Sequence, residues 1–222
     1  RAGSIDTYRT RFSLISVILH FTYILFMETA EQKRKLREAY KVKSKYYARE
    51  DLENTSNQII AHIATHPLYI QNNTLAFYSS LPHEMSLKKL FHEATASQKN
   101  TVFPKYEGSR KISFYIVTNE EDLEPGAWGI QEPNSRCTCV SIDTIDVFFV
   151  PGISFDIWGN RLGNGIGCYD EALKQARTNA VFIGVASSFQ MSPHRLPTSD
   201  HDILMHYVAT EEGMVKTVRM NG

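Results

Sequence analysis

The stretch from Asp146 to Leu173, DVFFVPGISFDIWGNRLGNGIGCYDEAL, holds the residues best suited to chemistry. An apolar run, Asp146 to Val150, stops at Pro151-Gly152. A loop with Gly159, Gly163, Gly165 and Gly167 then leads into a helix near Tyr169-Asp170. A continuous apolar run marks a strand buried on both faces. In open α/β sheets, ligands gather beyond the carboxyl ends of such strands. Glycines there let backbone N–H groups approach an anion, and a helix N-terminus adds positive partial charge. Arg161 can grip a phosphate with two parallel bonds, and Asp170 can hold a metal ion or cap the helix. No Gly-Lys-Ser/Thr follows, and the spacing does not fit a dinucleotide fingerprint. Local chemistry leaves a phosphate cradle and a structural turn both open.

Other chemistry-bearing residues carry less. Lys33, Arg34, Lys35 and Arg37 form a basic cluster whose default reading is a solvated helix face. His62 and His66 have zinc-ligand spacing, but no acid lies between them and no third ligand is evident, so they read as surface histidines. Cys137 and Cys139 form a C-x-C pair without a second pair nearby, which argues against zinc.

The elements that must position these residues alternate in type. Glu28 to Arg49 reads as a long charged helix without Gly or Pro, and a second helix runs from about Leu52 to Thr65, ended by Pro67. Thr74 to Ser79, Asn100 to Pro104 and Lys111 to Thr118 read as strands, and Ser86 to Ala96 as a helix. Residues 119–141 are rich in turn formers. Asp170 to Thr178 is expected to be helical, Ala180 to Ala186 to be a buried strand, and Tyr207 to Arg219 a hairpin around Glu211-Glu212-Gly213. Strands alternating with helices imply a parallel or mixed α/β sheet covered by helices.

The whole chain has 222 residues with 24 Lys+Arg against 24 Asp+Glu, a formal net charge of zero. That balance argues against bulk nucleic-acid binding, which leaves a basic footprint. Hydrophobic residues at 42% are enough for a packed core and exclude disorder as the dominant state. Three cysteines cannot build a disulfide framework, so a reducing, cytoplasmic setting is the simpler expectation. Residues 1–26 differ from the rest: three arginines, one aspartate and an apolar run reaching Met27. They read as a leader, either a targeting segment (mitochondrial or other) or upstream read-through before Met27. The run is too interrupted for a stable membrane span. Residues 27–222 are expected to form one catalytic domain.

The full string resembles the signature of the 5-formyltetrahydrofolate cyclo-ligase family, approximately P-G-x-x-F-D-x-x-G-x-R-L-G-x-G-x-G-Y-Y-D. Pro151, Gly152, Phe155, Asp156, Gly159, Arg161, Leu162, Gly163, Gly165, Gly167, Tyr169 and Asp170 match it. The likeness extends to a K-x-x-x-R pair at Lys33 and Arg37, a strand–loop–Glu element from Phe77 to Glu84, and an F-x-P-like strand at Phe103–Tyr106. A W-x-I-x-x-P turn from Trp128 to Pro133 and closing motifs at Gly184–Gln190 and Leu196–Asp202 complete it. The resemblance implies a three-layer α/β/α sandwich like that of ribose-phosphate isomerases and CoA-transferases. It implies conversion of 5-formyltetrahydrofolate, ATP and Mg²⁺ to 5,10-methenyltetrahydrofolate, ADP and phosphate. In that chemistry the N5-formyl oxygen attacks the γ-phosphate and N10 then closes the ring. The oligomeric state is not legible in the sequence, and a monomer is the favoured expectation.

Carried over by position, Lys33, Arg37, Arg161 and the segment Gly163, Asn164, Gly165, Ile166, Gly167, Cys168 and Tyr169 would bind ATP. Arg161 and Tyr169 would act in catalysis. Ser79, Glu84, Trp128 and Tyr169 would bind the folate, with plain core packing the alternative for Trp128. Asp170 and Asp202 would hold Mg²⁺. The chain departs from the family pattern at Asn164, Ile166, Cys168, Glu171 and His206. Ile166 resists positive φ, and Glu171 would add negative charge beside the metal site. A non-catalytic folate- or nucleotide-binding relative is the alternative these departures leave open.

Overall fold

The computed structural model describes residues 28–41 and 49–218. The proposed leader, residues 42–48 of the expected Glu28–Arg49 helix, and residues 219–222 lie outside the described residues. Residues 28–41 form helix α1. Then follow α2 (Arg49–Ala64), α3 (Pro67–Ile70), β1 (Thr74–Ala76), α4 (Lys88–Ala96), β2 (Asn100–Gly108), β3 (Lys111–Ile116), β4 (Leu123–Pro125) and β5 (Gln131–Pro133). The second half contributes β6 (Cys139–Val140), β7 (Val147–Pro151), β8 (Ser154–Asp156), β9 (Arg161–Leu162), α5 (Cys168–Leu173), β10 (Val181–Val185), β11 (Met191–Ser192), β12 (Tyr207–Thr210) and β13 (Gly213–Lys216).

Eight strands form the main sheet in the order β13-β12-β10-β7-β1-β2-β3-β6. Its centre, from β12 to β2, is parallel, and antiparallel strands close both sides. The expected mixed α/β class is therefore the one observed. Strict alternation along β7 sends Val147 and Phe149 to one face, with α2 and α4, and Phe148 and Val150 to the other, with Ala172 and Leu173 of α5. Both faces are sealed by aromatic contacts. Phe77 stacks on Phe103 at 5.8 Å on the first, and Phe148 meets Phe114 and Phe182 at 5.4 and 5.6 Å on the second.

Element limits differ from expectation where local chemistry decides. The second helix ends at Ala64, and His66 instead N-caps α3 through Nδ1, so the two histidines do not share a helix. β2 runs on to Gly108, because Pro104 lies beyond the residues that β1 pairs and costs no ladder bond there. α5 starts two residues early and ends at Leu173. Chain order reverses between β1 and β7: from β1 the sheet grows through β2 on one side and through β7, β10 and β12 on the other. That reversal opens a crevice at the carboxyl ends of β1 and β7.

Candidate active site

A cleft of about 570 Å³ opens at this reversal. It is lined from four directions: α1, the loop after β1, the β2/β5 wall, and the glycine loop running into α5. Lys33, Arg37, Ser79, Glu84, Trp128, Arg161, Gly163, Asn164, Gly165, Ile166, Gly167, Cys168, Tyr169, Asp170 and Asp202 all line it. The sequence positions singled out are thus brought together in one place.

Helical spacing splits the basic cluster of α1. Lys33 and Arg37, one turn apart, face the cleft, whereas Arg34 pairs with Glu31 and Glu38 on the outer face at 2.6 Å each. Lys33 Nζ lies 2.5 Å from Asp202 Oδ2 and 3.2 Å from Ser199 Oγ. Arg37 Nε donates to the carbonyl of Gly163 at 2.8 Å, which ties α1 to the glycine loop. Burial pushes the Arg37 pKa down and Asp202 opposes it.

The loop from β8 to α5 is held by buried packing. Phe155 fills the space beside two glycines: a Cβ on Gly152 or Gly184 would come within 2.6 or 2.5 Å of its ring. The fully buried Asp156 accepts from the amides of Trp158, Asn160 and Leu196 and from Asn160 Nδ2, at 2.7–2.9 Å. Gly159, at φ +88°, approaches Met205 so closely that a Cβ would sit 2.5 Å from its carbonyl. Gly165 and Gly167 take φ values of +98° and +86°, so Ile166 between them needs no positive φ. The amides of Asn164 to Gly167 have no backbone acceptor among the described residues.

Arg161 is almost buried. Nη2 donates to Asp170 Oδ2 at 2.9 Å, Nη1 to the carbonyl of Pro151 at 3.3 Å, and Nε has no partner. Its guanidinium lies 5.6 Å from the Tyr169 ring centre. Burial, then the Glu84 charge, pushes the Tyr169 phenol up. Glu84 is itself pushed up by burial, opposed by the Leu81 amide and His83. Cys168 is pushed up mainly by burial, so its thiol stays protonated and uncharged. Ser79 Oγ is buried without a partner beside the cleft.

Magnesium needs few protein ligands because it keeps its waters and shares phosphate oxygens. The acids here fit that demand modestly. Asp202 engages Lys33 and the Ser199 amide through Oδ2 only, leaving Oδ1 uncommitted. Asp170 has both oxygens engaged, by Arg161 and by the Ile203 amide at 3.2 Å. No cluster of three or more His, Cys, Asp or Glu suited to a metal occurs among the described residues.

The departures find plain locations. Glu171 pairs with Lys174 at 2.9 Å and is absent from the lining, so its charge does not face the cleft. His206 accepts from the Phe182 amide at 2.9 Å, a structural task at the edge of β10. Trp128 is 57% exposed and lies 4.6 Å from the Tyr106 ring, so core packing does not describe it. Sequence reasoning missed Tyr106, Glu132, Ser199 and His201 on the cleft wall. All four lie inside stretches the resemblance covers, Phe103–Tyr106, Trp128–Pro133 and Leu196–Asp202, but no site role attaches to them there.

Fold and cleft together define an α/β protein with a cleft at a sheet reversal, lined by Lys33, Arg37, Arg161 and a glycine loop. The chain belongs to the 5-formyltetrahydrofolate cyclo-ligase family, whose model matches residues 29–211. The mouse 5-formyltetrahydrofolate cyclo-ligase is 25% identical over 191 residues, covering 81% of this chain and 94% of that protein. The Haemophilus influenzae enzyme of the same description is 31% identical over 137 residues, 60% of this chain and 73% of that one. The solved structure of Aquifex aeolicus 5,10-methenyltetrahydrofolate synthetase superimposes with a TM-score of 0.75 at 32% identity, covering 86% of this chain and 95% of that chain.

Proposed function

We propose that this chain, through residues 27–222 as one catalytic domain, converts 5-formyltetrahydrofolate to 5,10-methenyltetrahydrofolate at the expense of ATP. The observation that carries the reading is the convergence of Lys33, Arg37, Arg161 and the glycine loop on a single cleft. A triphosphate laid along Gly163–Gly167 meets free amides and three cations, which suits a reaction whose catalysis is mainly positioning and charge neutralisation. Glu84 accepts from the N–H edge of the pterin. Tyr169, kept neutral by its surroundings, presents a phenol donor beside Arg161. Arg161 neutralises charge on the phosphoryl group as the formyl oxygen attacks it. Asp202 and, on releasing Arg161 or through water, Asp170 would hold Mg²⁺, which supplies further charge neutralisation at the phosphates. Cytoplasmic placement is proposed on the three free cysteines.

The purified chain should form the methenyl-folate chromophore only when ATP and Mg²⁺ are both present. Folate binding with no product at saturating ATP would favour the non-catalytic relative instead.

A further inference from the structure

One buried acid in the cleft has no place in the scheme above. Glu132, on β5, is 8% exposed and lines the cleft. Its Oε1 accepts the Tyr106 amide at 3.3 Å. No donor bonds Oε2, and no cation pairs with this carboxylate, among the described residues. The neighbouring Lys105 turns away to the Pro133 carbonyl at 2.7 Å and toward Glu124 at 3.8 Å. Oε2 is not among the fully buried polar atoms, so without a protein donor it still reaches solvent and can take a bond from a ligand in the cleft. The surrounding turn is shaped to admit it: a Cβ on Gly126 would fall 2.3 Å from Oε2.

We propose that Glu132 is the base that takes the N10 proton in ring closure. This rests on the function proposed above. Tyr106 and Trp128, whose rings lie 4.6 Å apart in the same cleft as Glu84, suit the benzoyl ring of a folate whose pterin edge is held at Glu84. The secondary amine between the two ring systems then falls at the wall that carries Glu132. In the step, the N10 lone pair forms a bond to the carbon of the phosphorylated formyl group. The N10 proton passes to Glu132 Oε2. The C–O bond breaks with its electron pair leaving on phosphate, and N5–C–N10 becomes the amidinium of the product. Glu132 returns its proton to solvent or to the departing phosphate. Phosphorylation of the formyl oxygen does not involve Glu132.

That division gives a readout a structural role would not produce. In a single turnover with enzyme in excess, ADP and methenyl-folate are followed separately for wild type and E132Q. Glutamine retains the oxygen that accepts the Tyr106 amide, so folding should be preserved. The expected result is ADP formation within a few-fold of wild type, with ring closure slowed about 100-fold. A phosphorylated folate should accumulate between the two. Equal slowing of both steps, or slowing of neither, overturns the proposal. If E132Q does not fold, E132D and G126A take its place: each should slow ring closure while ADP formation stays within a few-fold of wild type, E132D by its shorter reach and G126A by crowding the carboxylate. Wild type that makes ADP but never methenyl-folate would overturn the function itself, and this inference with it.

Discussion

Arg161 does two things at once, and its partners explain both. Asp170 and the Pro151 carbonyl hold its guanidinium in the cleft wall, so its charge is in place before any phosphate arrives. R161A should lower kcat/KM for ATP about 100-fold or more, the scale of losing one preorganised donor, measured by methenyl-folate formation. Lys33 and Arg37 are not interchangeable with each other. R37K keeps the charge but loses the planar donor to Gly163, so KM for ATP should rise more than kcat falls. Glu84 makes a pH prediction. Burial raises its pKa in the folded state, so the fold binds this proton more tightly than the unfolded chain does. Its contribution to stability is therefore fully present below the ordinary Glu value and is lost as pH rises through the raised one. E84Q should remove that decline, melting above wild type at neutral pH and converging with it in acid, while KM for folate rises. A melting gap that widens in acid would contradict the sign.

At the scale of elements, the glycine loop is a packed object before it is a ligand site. Asp156 satisfies three amides and one side-chain amide inside the fold, so D156A should leave several buried donors unpaired and cost roughly 3 kcal/mol or more, read by denaturant unfolding. G163A tests the other half. Its Cβ would lie 2.6 Å from Arg161 Nη1, so it should weaken ATP binding with a smaller effect on melting than D156A. Much of this was legible in the sequence. The fixed spacing of Asp156, Arg161, Gly163 and Asp170 reports a loop that must fold one way, and the apolar run at 146–150 is the central strand it leaves. The inward turn of Lys33 and Arg37 was not legible from charge alone. Four basic residues within five positions read as a solvated face, and only the i,i+4 spacing, with Glu31 and Glu38 drawing Arg34 outward, separates the pairs. The Tyr106–Glu132 wall was hidden because β5 is a short strand in turn-rich sequence, without periodicity to read.

At the scale of the molecule, the sheet explains why distant segments meet. α1, the loop after β1, the β5 wall and the glycine loop are far apart in the chain, and the reversal of strand order between β1 and β7 leaves one crevice for all of them. Zero net charge is compatible with such a site, because the cations of the cleft already face Asp170 and Asp202. Overall neutrality therefore says nothing against a concentrated anion site and still argues against a nucleic-acid surface. Among the described residues no helix is long and apolar enough to cross a membrane. The central claim is that the cleft activates the formyl oxygen by phosphorylation and then expels it on phosphate. Its most direct test is isotopic. When 5-formyltetrahydrofolate carrying ¹⁸O in the formyl group is turned over with ATP and Mg²⁺, the label should be recovered in inorganic phosphate, one oxygen per methenyl-folate formed. Label released to water, with none in phosphate, would contradict the account.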